Sequence, residues 1–259
     1  MEECKILARE EAKSDGIADP TKITEYVKKY HRAIYYRTRD PKANTPPYSG
    51  FDTLVHLSTG IVRNLLDPCY WMFDKIANSE KFDIGNLRSI DPTIQNSIIL
   101  KRSEDVWDTL RKGLDKIIED CTREQSDHIY LLFNNLMVLF KKRLLAKISE
   151  PRAIVFSLKG RKEFQEESEY IDTLLSISIK AQILYTRIGT DKTLAGKTIY
   201  YVPNRMLLPD RGLDVKGQAS HVQIQVKDLY DSIKLGKDLT FFDEIKRNKS
   251  DDKQYKLDL

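Results

Sequence analysis

Apolar positions recur at helical spacing through most of the first 145 residues. Residues 1–18 alternate charged and apolar groups and predict a short helix. Asp19-Pro20 then supplies an N-cap with a proline at the first helical position, and Ile23, Tyr26, Val27, Tyr30 and Ile34 line one face of a helix ending near Arg39. The run Asp40-Pro41-Lys42-Ala43-Asn44-Thr45-Pro46-Pro47 is a break that no helix crosses. Phe51, Leu54, Val55 and Leu57 predict another helix, stopped at Ser58-Thr59-Gly60. The next begins at Ile61 and carries Val62, Leu65 and Leu66, and Pro68 either kinks it or opens a new helix over 69–77. Residues 1–90 thus read as a small all-helical module.

A linker over 78–92 leads to a helix around 103–119, with Val106, Trp107, Leu110, Leu114 and Ile117 on one face. Ser126-Asp127 is expected to cap a strongly apolar helix containing Ile129, Leu132, Phe133, Leu136, Leu139, Phe140 and Leu144. After Glu150-Pro151 the period changes: 153–158 is short, β-branched and bounded by Pro and Gly, and predicts a strand. A helix over about 166–184 follows, with Tyr170, Ile171, Leu174, Leu175 and Ile179 buried. Two strands, 183–188 and 197–202, are joined by a polar, Gly-bounded loop over 189–196, and a last strand at 221–226 precedes a helix at 228–233. The expected fold class is therefore mostly α with a small β component (α+β). Helix, strand, helix and hairpin over 126–232 give the order of a winged-helix domain. The expected organisation is a helical module at 1–90, a connecting helix at 91–125, the winged helix at 126–235 and a charged tail at 236–259.

Composition narrows the class. With 41% hydrophobic and 32% charged residues the chain is too apolar for disorder. Cys4, Cys69 and Cys121 are odd in number and lack CxxC spacing, which argues against a disulfide framework or zinc ribbon and fits a reducing cytoplasm. The N-terminus carries charge where a signal peptide needs an apolar core, and no window approaches 18 apolar residues, so no membrane partner is expected.

Charge changes the picture more. The formal net charge is only +4, yet 141–162 holds +7 and 180–211 holds +4, leaving the remainder at −7. A basic face concentrated on one domain is the footprint of phosphate binding, so double-stranded DNA is the expected partner. Lys141, Lys142, Arg143, Arg161 and Lys162, with Lys192 and Lys197 on the hairpin, are the candidate contacts. The alternative is that these cations merely solvate helix and strand surfaces.

Other chemistry is not expected. Gly196-Lys197-Thr198 suggests a P-loop, but the required earlier glycine is replaced by Asp191 and a strand follows where a helix must begin. His31, His56, His128 and His221 sit on four different elements without metal-ligand spacing, and His56, on an apolar helix, is expected in the core. No GxSxG elbow is present, so no catalytic centre is expected. Arg63 falls in the first turn of a helix, where a cation is unfavourable unless an anionic partner holds it; an ordinary solvent-facing arginine is the alternative.

The run Tyr48-Ser49-Gly50-Phe51-Asp52-Thr53-Leu54-Val55-His56-Leu57-Ser58-Thr59-Gly60-Ile61-Val62-Arg63 resembles the lid of the initiator-type, origin-recognition-complex-like AAA+ ATPases, bacterial members included. Tyr201-Val202-Pro203-Asn204-Arg205-Met206-Leu207-Leu208-Pro209, followed by Gly212-Leu213-Asp214, resembles the wing-proximal segment of those proteins. The resemblance spans roughly 20–232. It implies that Arg63 is the sensor-2 arginine and that a winged helix follows the lid. The family's Walker A, Walker B and sensor-1 elements lie upstream of the lid, and this sequence holds nothing corresponding. The chain therefore looks like the C-terminal half of such an ATPase, truncated or encoded separately. On that reading it is not an enzyme and holds no cofactor alone; ATP and Mg²⁺ would bind only with a motor domain supplied in trans or by a sister subunit. The expected function is a non-catalytic DNA-binding and assembly module. The alternatives are a protein-interaction adaptor, with Tyr185, Tyr200 and Tyr201 as partner contacts, and an ATPase subunit active only when completed.

Overall fold

The computed structural model describes residues 1–39, 47–58, 60–79, 83, 85, 89–146, 148, 151–191, 196–217 and 221–239. α1 (Glu2–Ser14) packs on α2 (Pro20–Thr38) through Cys4, Ala8, Val27 and Ile34, a small cluster in which alanine lets the two backbones approach. Asp19 caps α2 as expected, its carboxylate accepting from the Thr21 N–H at 2.8 Å. The predicted break lies largely outside the described residues. α3 (Phe51–Ser58) and α4 (Val62–Ala77) follow, and α4 runs unbroken through the buried Pro68.

α5 (Pro92–Lys112) starts well before the expected position. Asp91-Pro92 repeats the device that opens α2, with the Asp91 carboxylate accepting from the Thr93 N–H at 2.7 Å. The helix ends at Gly113, whose φ of 109° few side chains tolerate. α6 (Arg123–Leu145) is capped one turn upstream of the expected Ser126-Asp127, by a reciprocal box between Thr122 and Gln125. Ser126 is instead buried, its hydroxyl accepting from the Leu114 N–H at 2.7 Å.

The second half adds β1 (Phe156–Lys159), α7 (Gln165–Lys180), β2 (Leu184–Asp191), β3 (Gly196–Pro203), β4 (Val222–Gln225) and α8 (Val226–Lys234). The expected order of helix, strand, helix and hairpin is present, with one helix, α7, between β1 and β2. The strands form one sheet in the order β2-β3-β1-β4. β1 meets β3 antiparallel at Phe156 and Tyr201, whose rings stack at 5.2 Å, and runs parallel to β4 from the Phe156–Val222 pair to Lys159–Gln225. The hairpin strands extend further into the expected loop than predicted, to Asp191 and back from Gly196. The chain is thus mostly helical with a small sheet, the α+β class expected.

One apolar cluster joins Tyr48, Leu57 and Met72 to Trp107, Phe133, Phe140, Phe156, Leu174 and Val226, and so runs continuously across positions 90 and 125. The seam is the segment 203–217. Trp107 donates its indole N–H to the Leu207 carbonyl at 3.0 Å while Arg211 lies over its ring, and Tyr48 donates its hydroxyl to the Leu213 carbonyl at 2.9 Å. Buried polar atoms on irregular backbone require such partners, and here partners from α5 and from the residues just before α3 fix the segment in place.

Candidate nucleic-acid interface

Asp214 is the electrostatic centre of that seam. Its side chain is 2% exposed and accepts from Arg152 at 2.9 Å, from Arg32 of α2 at 3.4 Å and from the Lys216 N–H at 3.1 Å. Beside it, Arg205 donates to His56 Nδ1 at 3.0 Å and to the Val215 carbonyl at 3.0 Å, and Lys216 pairs with Asp52. His56 is therefore not a core residue: it is half-exposed and tied to the hub, because the apolar face of short α3 is supplied by Leu54 and Leu57. Asn204 adds a further tie, accepting from Asn64 Nδ2 at 2.9 Å and donating to the Gln182 carbonyl at 3.0 Å. That bond helps hold Gln182 at its positive φ of 58°.

Burial pushes the imidazolium forms of His31, His56 and His128 down from the usual 6.5, with Arg32, Arg205 and Lys234 respectively adding repulsion. The folded state thus binds fewer protons than the unfolded one, so stability rises with pH. The stabilisation is full above the ordinary histidine value and is lost as pH falls through 6.5 and below. A thermal midpoint that is level above about pH 7.5 and drops toward pH 5.5 is the expected result of scanning calorimetry; a midpoint that climbs on acidification would contradict the assignment.

The six expected phosphate contacts that lie among the described residues do not share one surface. Arg143 is fully buried in α6 and is not a surface residue, because it falls three, four and seven positions after Phe140, Leu139 and Leu136 on the core-facing side. Lys141 is half-buried and donates to the Gly212 carbonyl at 2.7 Å; burial, with Arg39 nearby, lowers its ammonium pKa. Lys142 is exposed and pairs with Asp238 at 3.2 Å. Arg161 is a clamp: it pairs with Asp172 of α7 and donates to the Tyr201 hydroxyl at 2.7 Å and to Ser168 at 3.2 Å. Lys192 lies outside the described residues. Lys162 and Lys197 are exposed, with no ion-pair partner among the described residues.

Those two, joined by Arg187, are what the hairpin leaves available. Lys197, Ile199 and Tyr201 alternate onto one face of β3, the face on which Arg161 reaches Tyr201. Arg187 lies on the opposite face, paired across to Tyr200, whose ring it covers at 5.5 Å. The hairpin therefore carries a cation on each side. Tyr200 and Tyr201 are buried and are not the partner contacts of an adaptor, since their rings pack on His221 and Phe156; Tyr185 is half-buried. The exposed side of α7 bears Glu166, Glu169 and Asp172. Arg63 stands exposed in the first turn of α4, with no ion-pair partner among the described residues, and borders a cavity of about 250 Å³ with Asn64, Thr109, Gln182 and Asn204.

With this geometry in view, the family model described as ORC-CDC6-like matches residues 2–224. The chain belongs to the ORC-CDC6-like family. Its match runs from the first helix through the hairpin and into β4, so family membership covers both the helical half and the sheet, and makes the chain a relative of the initiator-type AAA+ proteins. No curated protein and no solved structure matches it. No described helix is long and apolar enough to cross a membrane.

Arg32, Arg152 and Arg205 carry no local sign in the sequence of a structural role. Asp214 stood in a recognised segment, but nothing in its neighbours announced a buried acceptor for two arginines 62 and 182 positions away.

Proposed function

We propose that this ORC-CDC6-like chain is a non-catalytic, DNA-contacting assembly module of the initiator type, and that it grips duplex phosphates with its hairpin as a winged helix does with its wing. The observation that carries the reading is the β2–β3 hairpin, a two-stranded ribbon with Lys197 on one face and Arg187 on the other, with exposed Lys162 next in sequence to Arg161, which bonds Tyr201 of β3. The acidic outer side of α7 repels phosphate, so the grip belongs to the hairpin rather than to that helix. Arg63 contributes to nucleotide binding only beside a motor domain that brings the P-loop and the acidic Mg²⁺ holder in trans.

Neutralising about three phosphates gives a log–log salt slope near −2.7, or roughly 40-fold weaker binding at 200 mM than at 50 mM salt. Fluorescence anisotropy with a short random duplex should show that loss, and Lys197→Glu or Arg187→Glu should weaken binding and flatten the slope by about one. Affinity indifferent to salt and to both reversals would refute the reading. One observation favours a protein partner instead: Ile188 and Ile199 form a direct cross-strand pair and are 73% and 49% exposed. Absence of duplex binding at 50 mM salt would shift the assignment to that surface.

A further inference from the structure

We infer that α4 is a self-association surface, pairing antiparallel with α4 of a second copy of this chain about a two-fold axis; the inference does not depend on the DNA-binding reading. α4 buries Pro68 and Met72 against the body of the protein and turns an apolar stripe outward. Val62, Leu66, Tyr70 and Phe73 on it are 67%, 60%, 61% and 44% exposed. At about 100° per residue these four occupy an arc of roughly 80°. A stripe of this kind on a folded protein marks a contact surface.

Two features select a second copy as the occupant. The first is spacing. A two-fold contact must be self-complementary, so that residue i meets j and j meets i. A two-fold axis at 67–68 sets Val62 against Phe73 of the second copy and Leu66 against Tyr70 of the second copy, so each aliphatic side chain meets an aromatic one. The second is charge. Arg63 and Asp74 lie roughly 20° apart around the helix, on the same edge of the stripe. Antiparallel helices bring like edges together, so the same axis sets Arg63 against Asp74 of the second copy, twice. Among the described residues Arg63 has no ion-pair partner, and the Asp74 carboxylate is engaged there only by its neighbour Asn78 at 3.2 Å. Packed on α4, α3 adds Phe51 and Val55 to the exposed apolar surface. With so few side chains in the contact, the affinity expected is on the order of micromolar.

Sedimentation velocity on the full chain, from about 1 to 100 µM, tests this. The expected result is a monomer–dimer equilibrium that Leu66→Glu abolishes while leaving the thermal midpoint unchanged at concentrations where the parent is monomeric, because Leu66 is a surface residue. Arg63→Asp alone and Asp74→Arg alone should each weaken the dimer several-fold, and the double exchange should restore it; an Arg63 with a purely local role would show no such rescue. A chain that stays monomeric at the highest concentration, a dimer indifferent to Leu66→Glu, or a double exchange weaker than either single variant overturns the inference.

Discussion

Asp214→Ala is expected to remove about 3–5 kcal/mol of folding stability, read as a lower urea midpoint at unchanged slope. The carboxylate is buried, and it compensates Arg152, whose side chain is itself 10% exposed, as well as Arg32 from α2. Deleting it takes a buried acceptor from two guanidiniums at once, one of them in a low-dielectric site, and frees the Lys216 N–H it had accepted. The cost arises from what remains unpaired, and that yields an internal control. Asp214→Ala combined with Arg152→Met should be milder than Asp214→Ala alone, because the buried positive charge that Asp214 offsets leaves with it. Asp172→Ala, which removes the Arg161 partner at a half-exposed site, should stay within about 1 kcal/mol. An unchanged midpoint for Asp214→Ala would mean that the seam is not held electrostatically.

The hub explains why so much of the fold yet so little of the site was legible in the sequence. Local signals placed elements well where backbone chemistry is local. Asp19-Pro20 announces α2, whereas the identical pair Asp91-Pro92 opens α5 inside the expected linker, because the polar run Gln95-Asn96-Ser97 interrupts the apolar spacing after Ile94. At α6, Ser126-Asp127 looked like a cap, but the Thr122–Gln125 box one turn earlier satisfies both orphan ends, and the serine hydroxyl was left to hold Leu114. The continuity of α4 through Pro68 and the parallel docking of β4 on β1 depend on packing, which no window of the sequence contains.

Charge was the harder problem. A local excess of +7 records how many cations a stretch holds, not which way they point. Of its members, Lys141 and Arg161 serve the fold, Arg143 is interior, Lys142 pairs with Asp238, and Lys162 stands exposed with no ion-pair partner among the described residues. Cations that bind carbonyls and carboxylates across long sequence separations look like solvent-facing cations until the partner is known.

Arg143 and Lys197 make the distinction measurable, since both were expected to touch phosphate. Arg143→Ala should cost about 3–5 kcal/mol, because it deletes a side chain that is fully buried and engaged inside the fold, leaving a cavity and a lost partner together. Lys197→Ala should leave stability within about 0.5 kcal/mol, because its side chain extends from the hairpin into solvent. Duplex affinity measured on the same samples completes the contrast. Lys197→Ala should weaken binding with the melt intact, whereas Arg143→Ala should weaken it only in proportion to the fraction unfolded. An Arg143→Ala protein that melts like the parent yet fails to bind duplex would return that arginine to the surface and undo the placement of α6. A Lys197→Ala protein that binds like the parent would remove the hairpin from the interface, leaving the exposed Ile188–Ile199 pair as the hairpin's remaining contact surface.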